Sequence, residues 1–224
     1  MLGLAVWLVA CLAFVPAHAH LEYIARRATL IGQIREQEPN VLLVDAGDVF
    51  SGTLYFTQYL GRADLEFMNL LGYDAMTLGN HEFDKGPAGL APFVAGARFP
   101  VVSANVDVAG DHDLGMLART EIGNEAGRVY PAVIREIDGE KVGIIGLTTP
   151  EASEISSPGP HIGFSEPIAA ARQLVDRLTA MGVDRIVVLS HLGWPRDLEL
   201  AAAVEGIDVI VGGHTHTVRP DRPS

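Results

Sequence analysis

Oxygen and imidazole side chains follow two short apolar runs in the first half of this chain, where they could act together on a metal ion. The run 41–44 leads through Asp-Ala-Gly to Asp48, and the run 75–78 leads to Asn80 and His81. Short apolar runs closed by glycine and acid are typical of buried strands. Asp48, Asn80 and His81 are therefore predicted to follow the carboxyl ends of two strands.

The same pattern returns near the C-terminus. The run 185–190 ends on His191, and the run 209–213 leads to His214 and His216. One histidine after a strand is usually structural, but four runs that each end in a ligand are hard to explain by packing. Carboxylate, amide and imidazole ligands together suit borderline transition metals such as Mn, Fe, Co or Zn. The candidate metal ligands are Asp48, Asn80, His191, His214 and His216.

A helix between the first two runs would place their ends side by side. Segment 64–71 carries apolar residues at helical spacing, and Gly72 ends it. A strand, a helix and a second strand form a right-handed crossover, which makes the two strands parallel neighbours. Open α/β sheets bind their ligands at the carboxyl ends of such strands. We therefore expect the metal site at this edge.

The remaining segments predict alternating α and β elements with one hairpin. Amphipathic or apolar spacing indicates helices over 20–37, 166–181 and 197–204, and an apolar run indicates a strand over 99–103. Asp138-Gly139 separates the strand-like runs 130–137 and 141–147, which is a strong hairpin signal. The predicted fold class is therefore α/β with a mixed sheet.

The motifs together resemble the calcineurin-like metallophosphoesterases. The resemblance lies in Gly47-Asp48, Gly79-Asn-His81, His191 and Gly213-His-Thr-His216, in this order. The longer phrases Asp45-Ala-Gly-Asp48 and Gly79-Asn-His-Glu-Phe-Asp84 resemble the 5'-nucleotidase branch. The resemblance covers roughly residues 20–218. It implies a two-sheet mixed β sandwich flanked by helices, in four layers α/β/β/α.

The resemblance also implies a cofactor, namely two divalent metal ions (Mn, Zn, Co or Fe). Asp48 would bridge the two ions, since a carboxylate has an oxygen for each. Asn80, His191 and His214 would complete one metal position, and His216 would belong to the other. Two ions roughly 3.5 to 4 Å apart can orient and acidify a bridging water for in-line attack on phosphorus.

His81 and Asp84 are the implied catalytic pair. By resemblance, His81 would protonate the leaving alkoxide or stabilise transition-state charge, and Asp84 would hold its imidazole in the useful tautomer. The alternative for this pair is a hydrogen bond that only stabilises the loop. Glu82 and Asp45 are interpreted as structural. Asn105 is a candidate substrate contact, with an asparagine turn cap as the alternative.

Composition limits the partners. With 224 residues, the chain is long enough for one domain with a sizeable core. Its net charge of −12 argues against binding to a nucleic acid polymer through phosphates. We expect a small phosphate ester, a nucleotide in particular, whose charge is met locally by metals. The single cysteine, Cys11, excludes a disulfide framework and a cysteine-ligated zinc site.

Residues 1–19 are interpreted as a signal peptide, with Ala17-His-Ala19 as the cleavage site. This predicts a periplasmic or secreted protein and no stable membrane span. The alternatives are a buried N-terminal strand and a misplaced start codon, because no lysine or arginine precedes the apolar run. Pro16 in Pro16-Ala-His18 stands where the family has a ligand Asp, and proline cannot bind a metal.

The expected domain is 20–224, incomplete at its N-terminal edge and without a C-terminal substrate domain. The predicted function is metal-dependent hydrolysis of nucleotide phosphate esters, of the 5'-nucleotidase type. One alternative is a non-catalytic or weakly active fragment of such an enzyme. The other is a thiosulfohydrolase of sulfur oxidation on the same scaffold.

Overall fold

The computed structural model describes residues 20–50 and 54–217, and most of its strands belong to two four-stranded sheets. The strands are β1 (Val44–Asp45), β2 (Ala75–Thr77), β3 (Val101–Val102), β4 (Val106–Asp107), β5 (Val129–Tyr130), β6 (Ala132–Ile137), β7 (Glu140–Thr148), β8 (Gly163–Phe164), β9 (Arg185–His191) and β10 (Val209–Gly212). The helices are α1 (His20–Gln37), α2 (Leu54–Tyr59), α3 (Arg62–Leu71), α4 (Gly86–Gly96), α5 (Ala152–Ile155), α6 (Pro167–Ala180) and α7 (Trp194–Ala203), with a 3-10 turn at His81–Phe83.

The first sheet is parallel throughout and has the order β1-β2-β3-β5. Helix α3 connects β1 to β2, and α4 connects β2 to β3, as expected for parallel neighbours. The predicted helix over 64–71 is confirmed and begins slightly earlier. The strand predicted over 99–103 is shorter in the structure, because only Val101 and Val102 pair with both neighbouring strands.

The second sheet is mixed and has the order β10-β9-β7-β6. Strands β10, β9 and β7 are parallel, and β6 pairs antiparallel with β7 through the predicted hairpin. Asp138 and Gly139 form its turn with φ of 52° and 80°. Two consecutive positive φ values match the twist of the flanking strands, which is why Asp-Gly is favoured in this turn.

The two sheets pack face to face with helices on both outer faces. Side chains from both sheets share one buried cluster, in which Val44 and Val102 meet Ile144 and Leu189. A second cluster joins the first sheet to α3 and α4, and a third joins the second sheet to α6 and α7. This arrangement confirms the predicted two-sheet α/β fold with helices on both sides.

A small strand pair lies outside the two sheets. Strands β4 and β8 form this separate antiparallel pair, which the sequence did not predict. Within residues 20–50 and 54–217, no helix combines the length and apolar character needed to cross a bilayer. The predicted signal peptide at 1–19 lies outside the described residues.

Candidate metal centre

Asp48 sits in a tight loop directly after β1. Gly47 has a φ of 92° and Asp48 a φ of 67°, so both residues adopt left-handed backbone conformations. This region is uncommon for residues other than glycine, although aspartate tolerates it better than most. The Asp45 carboxylate supports the turn by accepting a 2.9 Å hydrogen bond from the Gly47 N–H. The Asp48 side chain is thereby fixed at the carboxyl end of the first sheet, only 4% exposed.

The loop after β2 is in direct backbone contact with the Asp48 loop. A Cβ on Gly79 would collide with the Asp48 carboxylate and backbone nitrogen, and it would lie 2.8 Å from His191 Cε1. A Cβ on Gly47 would lie 2.5 Å from the Gly79 nitrogen. The glycines at these two positions therefore allow the two loops to approach each other more closely than side chains would permit.

Glu82 connects the same two loops through its buried carboxylate. One oxygen accepts the N–H groups of Val49 at 2.7 Å and Phe50 at 3.1 Å. The other accepts those of Asp48 at 2.8 Å and Gly79 at 2.6 Å. Burial, followed by the charge of Asp48, raises the pKa of Glu82 to about 7, although the backbone donors act in the opposite direction.

His191, the last residue of β9, extends from the second sheet to the Asp48 loop. Its Nδ1 donates a 2.6 Å hydrogen bond to the Ala46 carbonyl oxygen, which leaves the lone pair on Nε2 in the neutral ring. Nε2 lies 3.0 Å from Asp48 Oδ2, but the angle does not make a hydrogen bond. A second-sphere carbonyl that fixes the tautomer in this way is a regular feature of metal-binding histidines.

His214 completes a cluster of three. Ligand atoms of Asp48, His191 and His214 all lie within 4.8 Å of one another. The rings of His191 and His214 are 5.1 Å apart between centroids. Burial, and then the charge of His191, lowers the pKa of His214, which favours the neutral ring that metals require.

Asn80 contributes an unpaired acceptor between these loops. Its side chain is 3% exposed, and its Oδ1 has no hydrogen-bond partner within residues 20–50 and 54–217. His191 Nε2 is also buried and makes no hydrogen bond in the described part of the chain, although it lies 3.0 Å from Asp48 Oδ2. Buried polar atoms are nearly always hydrogen-bonded, so two that are not, on residues flanking one carboxylate, are suited to binding a cation. The donor set of carboxylate, amide and imidazole fits a divalent transition metal.

The contact between Asp48 and His191 shifts the pKa values of both residues. Burial alone would raise the pKa of Asp48, but contact with His191 and the N–H of His81 outweigh it and lower that pKa. Burial would lower the pKa of His191, but contact with Asp48 outweighs it and raises that pKa. A cation at this point would replace the histidine proton as the partner of the carboxylate.

His81 and Asp84 lie beside this cluster and contact each other. His81 Nδ1 is 2.7 Å from Asp84 Oδ2, and the two side chains are 39% and 31% exposed. The backbone N–H of His81 donates a 3.0 Å hydrogen bond to Asp48 Oδ1. The predicted pair therefore forms at an open position where the ring can reach a bound molecule.

Two predicted site residues lie apart from the cluster. His216 is exposed and is not among the three residues whose ligand atoms converge. Asn105 is 2% exposed, and its side chain is held by the backbone of Thr148 and Ser165. These bonds fix the Asn105 side chain, as the turn-cap alternative expects, and its contact with substrate stays a prediction.

A cavity of about 310 Å³ opens from the cluster along α7. Asp48, His191 and His214 form its polar end. Its other wall includes Trp194, Leu198 and Ile210. Sequence reasoning did not identify this wall, because the apolar spacing of α7 is equally typical of a helix packed on a core. The sequence also offered no reason to place Glu82 in the site. Its hydrogen bonds reach residues about thirty positions away, and such contacts are not visible in a local sequence pattern.

Comparisons with known proteins place the chain in a family. Residues 18–218 match the calcineurin-like phosphoesterases, and the chain belongs to that family. It is 45% identical over 222 residues to the trifunctional nucleotide phosphoesterase protein YfkN of Bacillus subtilis, covering 90% of this chain and 15% of that protein. It is 46% identical over 195 residues to the snake venom 5'-nucleotidase of Naja atra, covering 87% of this chain and 35% of that enzyme.

A solved structure supports the same grouping. The 5'-nucleotidase precursor from Thermus thermophilus superimposes with a TM-score of 0.81 and 50% sequence identity, over 89% of this chain and 37% of that one. The predicted family and its 5'-nucleotidase branch are confirmed. The chain spans about a third or less of the curated relatives described above.

Proposed function

We propose that this chain is the catalytic domain of a metal-dependent phosphoesterase that hydrolyses nucleotide phosphate esters. The observation that supports it most is the convergence of ligand atoms of Asp48, His191 and His214 within 4.8 Å of one another. The named relatives act on nucleotides or are 5'-nucleotidases, which supports this substrate class.

The described residues suggest how two divalent ions would be held. Asp48, Asn80, His191 and His214 would hold one ion, and the second oxygen of Asp48 together with His216 would contribute to the other position. When bound, such ions neutralise phosphate charge and make a bound water nucleophilic near pH 7. The chain has a net charge of −12, and this local neutralisation would offset its repulsion of an anionic substrate.

His81 would supply the proton for the leaving group. In its protonated form both ring nitrogens donate, so Nδ1 can keep its bond to Asp84 while Nε2 gives its proton to the departing alkoxide oxygen. The Asp84 carboxylate would accept from Nδ1 and so fix the ring orientation. The Asp48 carboxylate accepts the His81 backbone N–H, so the loop with the catalytic ring is in direct contact with the metal ligand of the other loop.

The cavity would admit the organic part of the ester. Its polar end holds the ligand cluster, and Trp194 and Leu198 give it an apolar side. A phosphate at the cluster would therefore leave room for a larger leaving group along α7. This shape agrees with a nucleoside leaving group, but any ester with an apolar alcohol would meet the same wall.

The experiment is a substrate panel in the presence of Mn²⁺, comprising AMP, p-nitrophenyl phosphate, its bis-ester and an organic thiosulfonate. We expect metal-dependent release of phosphate from AMP. Metal binding without turnover of any ester would favour the inactive-fragment alternative. Cleavage of an organic thiosulfonate, with no hydrolysis of AMP, would favour the thiosulfohydrolase alternative.

The compartment depends on residues 1–19. If they act as a signal peptide, the enzyme would work in the periplasm or outside the cell. Fractionation of cells expressing the chain, with sequencing of the mature N-terminus, tests this. A mature protein that starts at His20 is expected, and retention of Met1 in the cytoplasm would contradict it.

A further inference from the structure

Glu82 is a fully buried glutamate, 0% exposed, whose carboxylate contacts both ligand loops. Among the residues that the structure describes, it accepts four hydrogen bonds, all from backbone N–H groups, three in the segment 48–50 and one at Gly79. Asp48 lies in the first loop, and Asn80 directly follows the second contact. Glu82 therefore connects the backbones that carry two candidate ligands.

The number of bonds matches what a carboxylate can accept. An ionised carboxylate has about four lone-pair positions, and here four N–H groups of 2.6 to 3.1 Å occupy them. A glutamine in the same place would offer one oxygen and an NH₂ group. The NH₂ group would then face at least one pair of backbone N–H groups, and two donors cannot form a hydrogen bond. Glutamine has almost the same shape as glutamate, so the change affects mainly these bonds.

The Asp48 loop needs such support because its backbone conformation is unusual. Asp48 has a φ of 67°, and the three consecutive N–H groups that begin at this residue all donate to Glu82. Without an acceptor for these N–H groups, loop conformations that expose them to water would become more stable than the observed one. The Asp48 carboxylate would then move relative to Asn80 and His191.

We propose that Glu82 is a positioning residue that sets the distance between the Asp48 and Asn80 loops and thereby the affinity of the site for its metal. This role rests on the proposed metal-dependent function. Glu82 itself does not bind the ion or the substrate, since all its acceptor positions are used by the backbone. Its effect passes through the positions of Asp48 and Asn80.

The test compares Glu82→Gln and Glu82→Asp with the control Glu166→Gln. Glu166 also accepts a backbone N–H, from Ala169 at 2.7 Å, but it caps α6 and is exposed. Glu82→Asp keeps the charge but is one methylene too short to reach both loops, so it remains informative if the glutamine variant does not fold. Circular dichroism establishes that each variant is folded.

Two measurements are made on each folded variant. Amide hydrogen exchange of the metal-free protein reports on the N–H groups of Asp48, Val49, Phe50 and Gly79. Chelator competition with Mn²⁺ and the absorption spectrum of the Co²⁺ form report on the ligand geometry. We expect at least a tenfold loss of protection at these four amides and about 10- to 100-fold weaker Mn²⁺ binding, with a changed Co²⁺ spectrum. Glu166→Gln should change none of these values.

Failure of the positioning role and failure of the proposed function would give different experimental results. Wild-type metal affinity and spectrum in a folded Glu82 variant would overturn the positioning role and leave the proposed function intact. Unchanged exchange at the four amides would overturn it as well. A wild-type chain that binds no metal would overturn the proposed function, and with it this role.

Discussion

The two halves of the ligand set are supported in different ways. Asp48 and Asn80, after β1 and β2, are 4% and 3% exposed, and their loops are held together by Glu82 and by contact at Gly79. The turn after β10 carries His214 and His216 with positive φ values of 71° and 50°. It is held by Thr215, whose Oγ1 accepts the Trp194 N–H at 3.0 Å, and it is largely exposed.

This difference suggests that the site has a rigid side and an adaptable side. The rigid side is formed by the loops with Asp48 and Asn80, and the adaptable side by the turn with His214 and His216. His191 belongs structurally to the rigid side, because it is 1% exposed and bonded to Ala46 of the Asp48 loop. A metal held by Asp48, Asn80 and His191 would meet ligands that are already in place. The histidines after β10 would adjust to it, at some cost in ordering their turn.

Asp48→Ala should have the largest effect, because Asp48 is the only carboxylate in the cluster and links the two halves. We expect the variant to lose most of its bound metal. Its turnover should fall further than after alanine substitution of any one histidine. Elemental analysis of the purified variant measures the metal. An unchanged metal-to-protein ratio would refute the central place of Asp48.

His81→Ala should reduce turnover strongly and leave the metal nearly unchanged. A positioned proton donor contributes about 10² to 10⁴-fold to rate, and the hydrogen bond from His81 to the cluster comes from its backbone N–H, which alanine keeps. Steady-state kinetics with AMP measures the first effect and elemental analysis the second. Loss of metal in this variant would move His81 into the ligand set.

Gly79→Ala tests the rigid side by removing the close contact of its loops. Because the new Cβ would meet Asp48 and His191, we expect a loss of about 1–3 kcal/mol in the free energy of unfolding, together with weaker metal binding. Gly32→Ala is the matched control, since Gly32 lies in α1 with no atom within 4 Å of the added Cβ. That change should stabilise the helix by about 0.5–1 kcal/mol. Equal effects of both substitutions in denaturant titrations would contradict the special role of the Gly79 contact.

His216→Ala should have the smallest effect of the four. The side chain is exposed and outside the converging group, so one metal position should weaken by about tenfold while the other keeps its ion. Titration of the metal-free variant with Mn²⁺ separates the two positions. Loss of both ions would show that the adaptable side is as essential as the rigid one.

Much of the fold was readable from the sequence because its signals are local. The Asp-Gly turn predicted the hairpin of β6 and β7, and apolar spacing predicted α6. The pair of β4 and β8 has two residues in each strand, which is too short for periodicity to detect. Leu114, which is fully buried in the segment between β4 and β5, shows the same limit, because the packing of such a segment depends on distant residues.

The features of the site also divide into those with a local sequence signal and those without one. The positions after apolar runs correctly brought Asp48, His191 and His214 to one edge of the sheets. The link from Glu82 to residues 48–50, the bond from His191 to Ala46 and the cavity wall on α7 are tertiary contacts between distant positions. The roles of all the predicted site residues stay predictions, and the experiments above address those of Asp48, His81 and His216. The residues are Asp48, Asn80, His81, Asp84, Asn105, His191, His214 and His216.

The most direct test of the metal site is calorimetric titration of Mn²⁺ into metal-free wild-type protein and into Asp48→Ala. We predict saturable binding to the wild-type chain, with a tighter position formed by Asp48, Asn80 and His191, and the loss of that position in the variant. No saturable binding to the folded wild-type chain, or identical binding by both proteins, would contradict a metal centre built on Asp48.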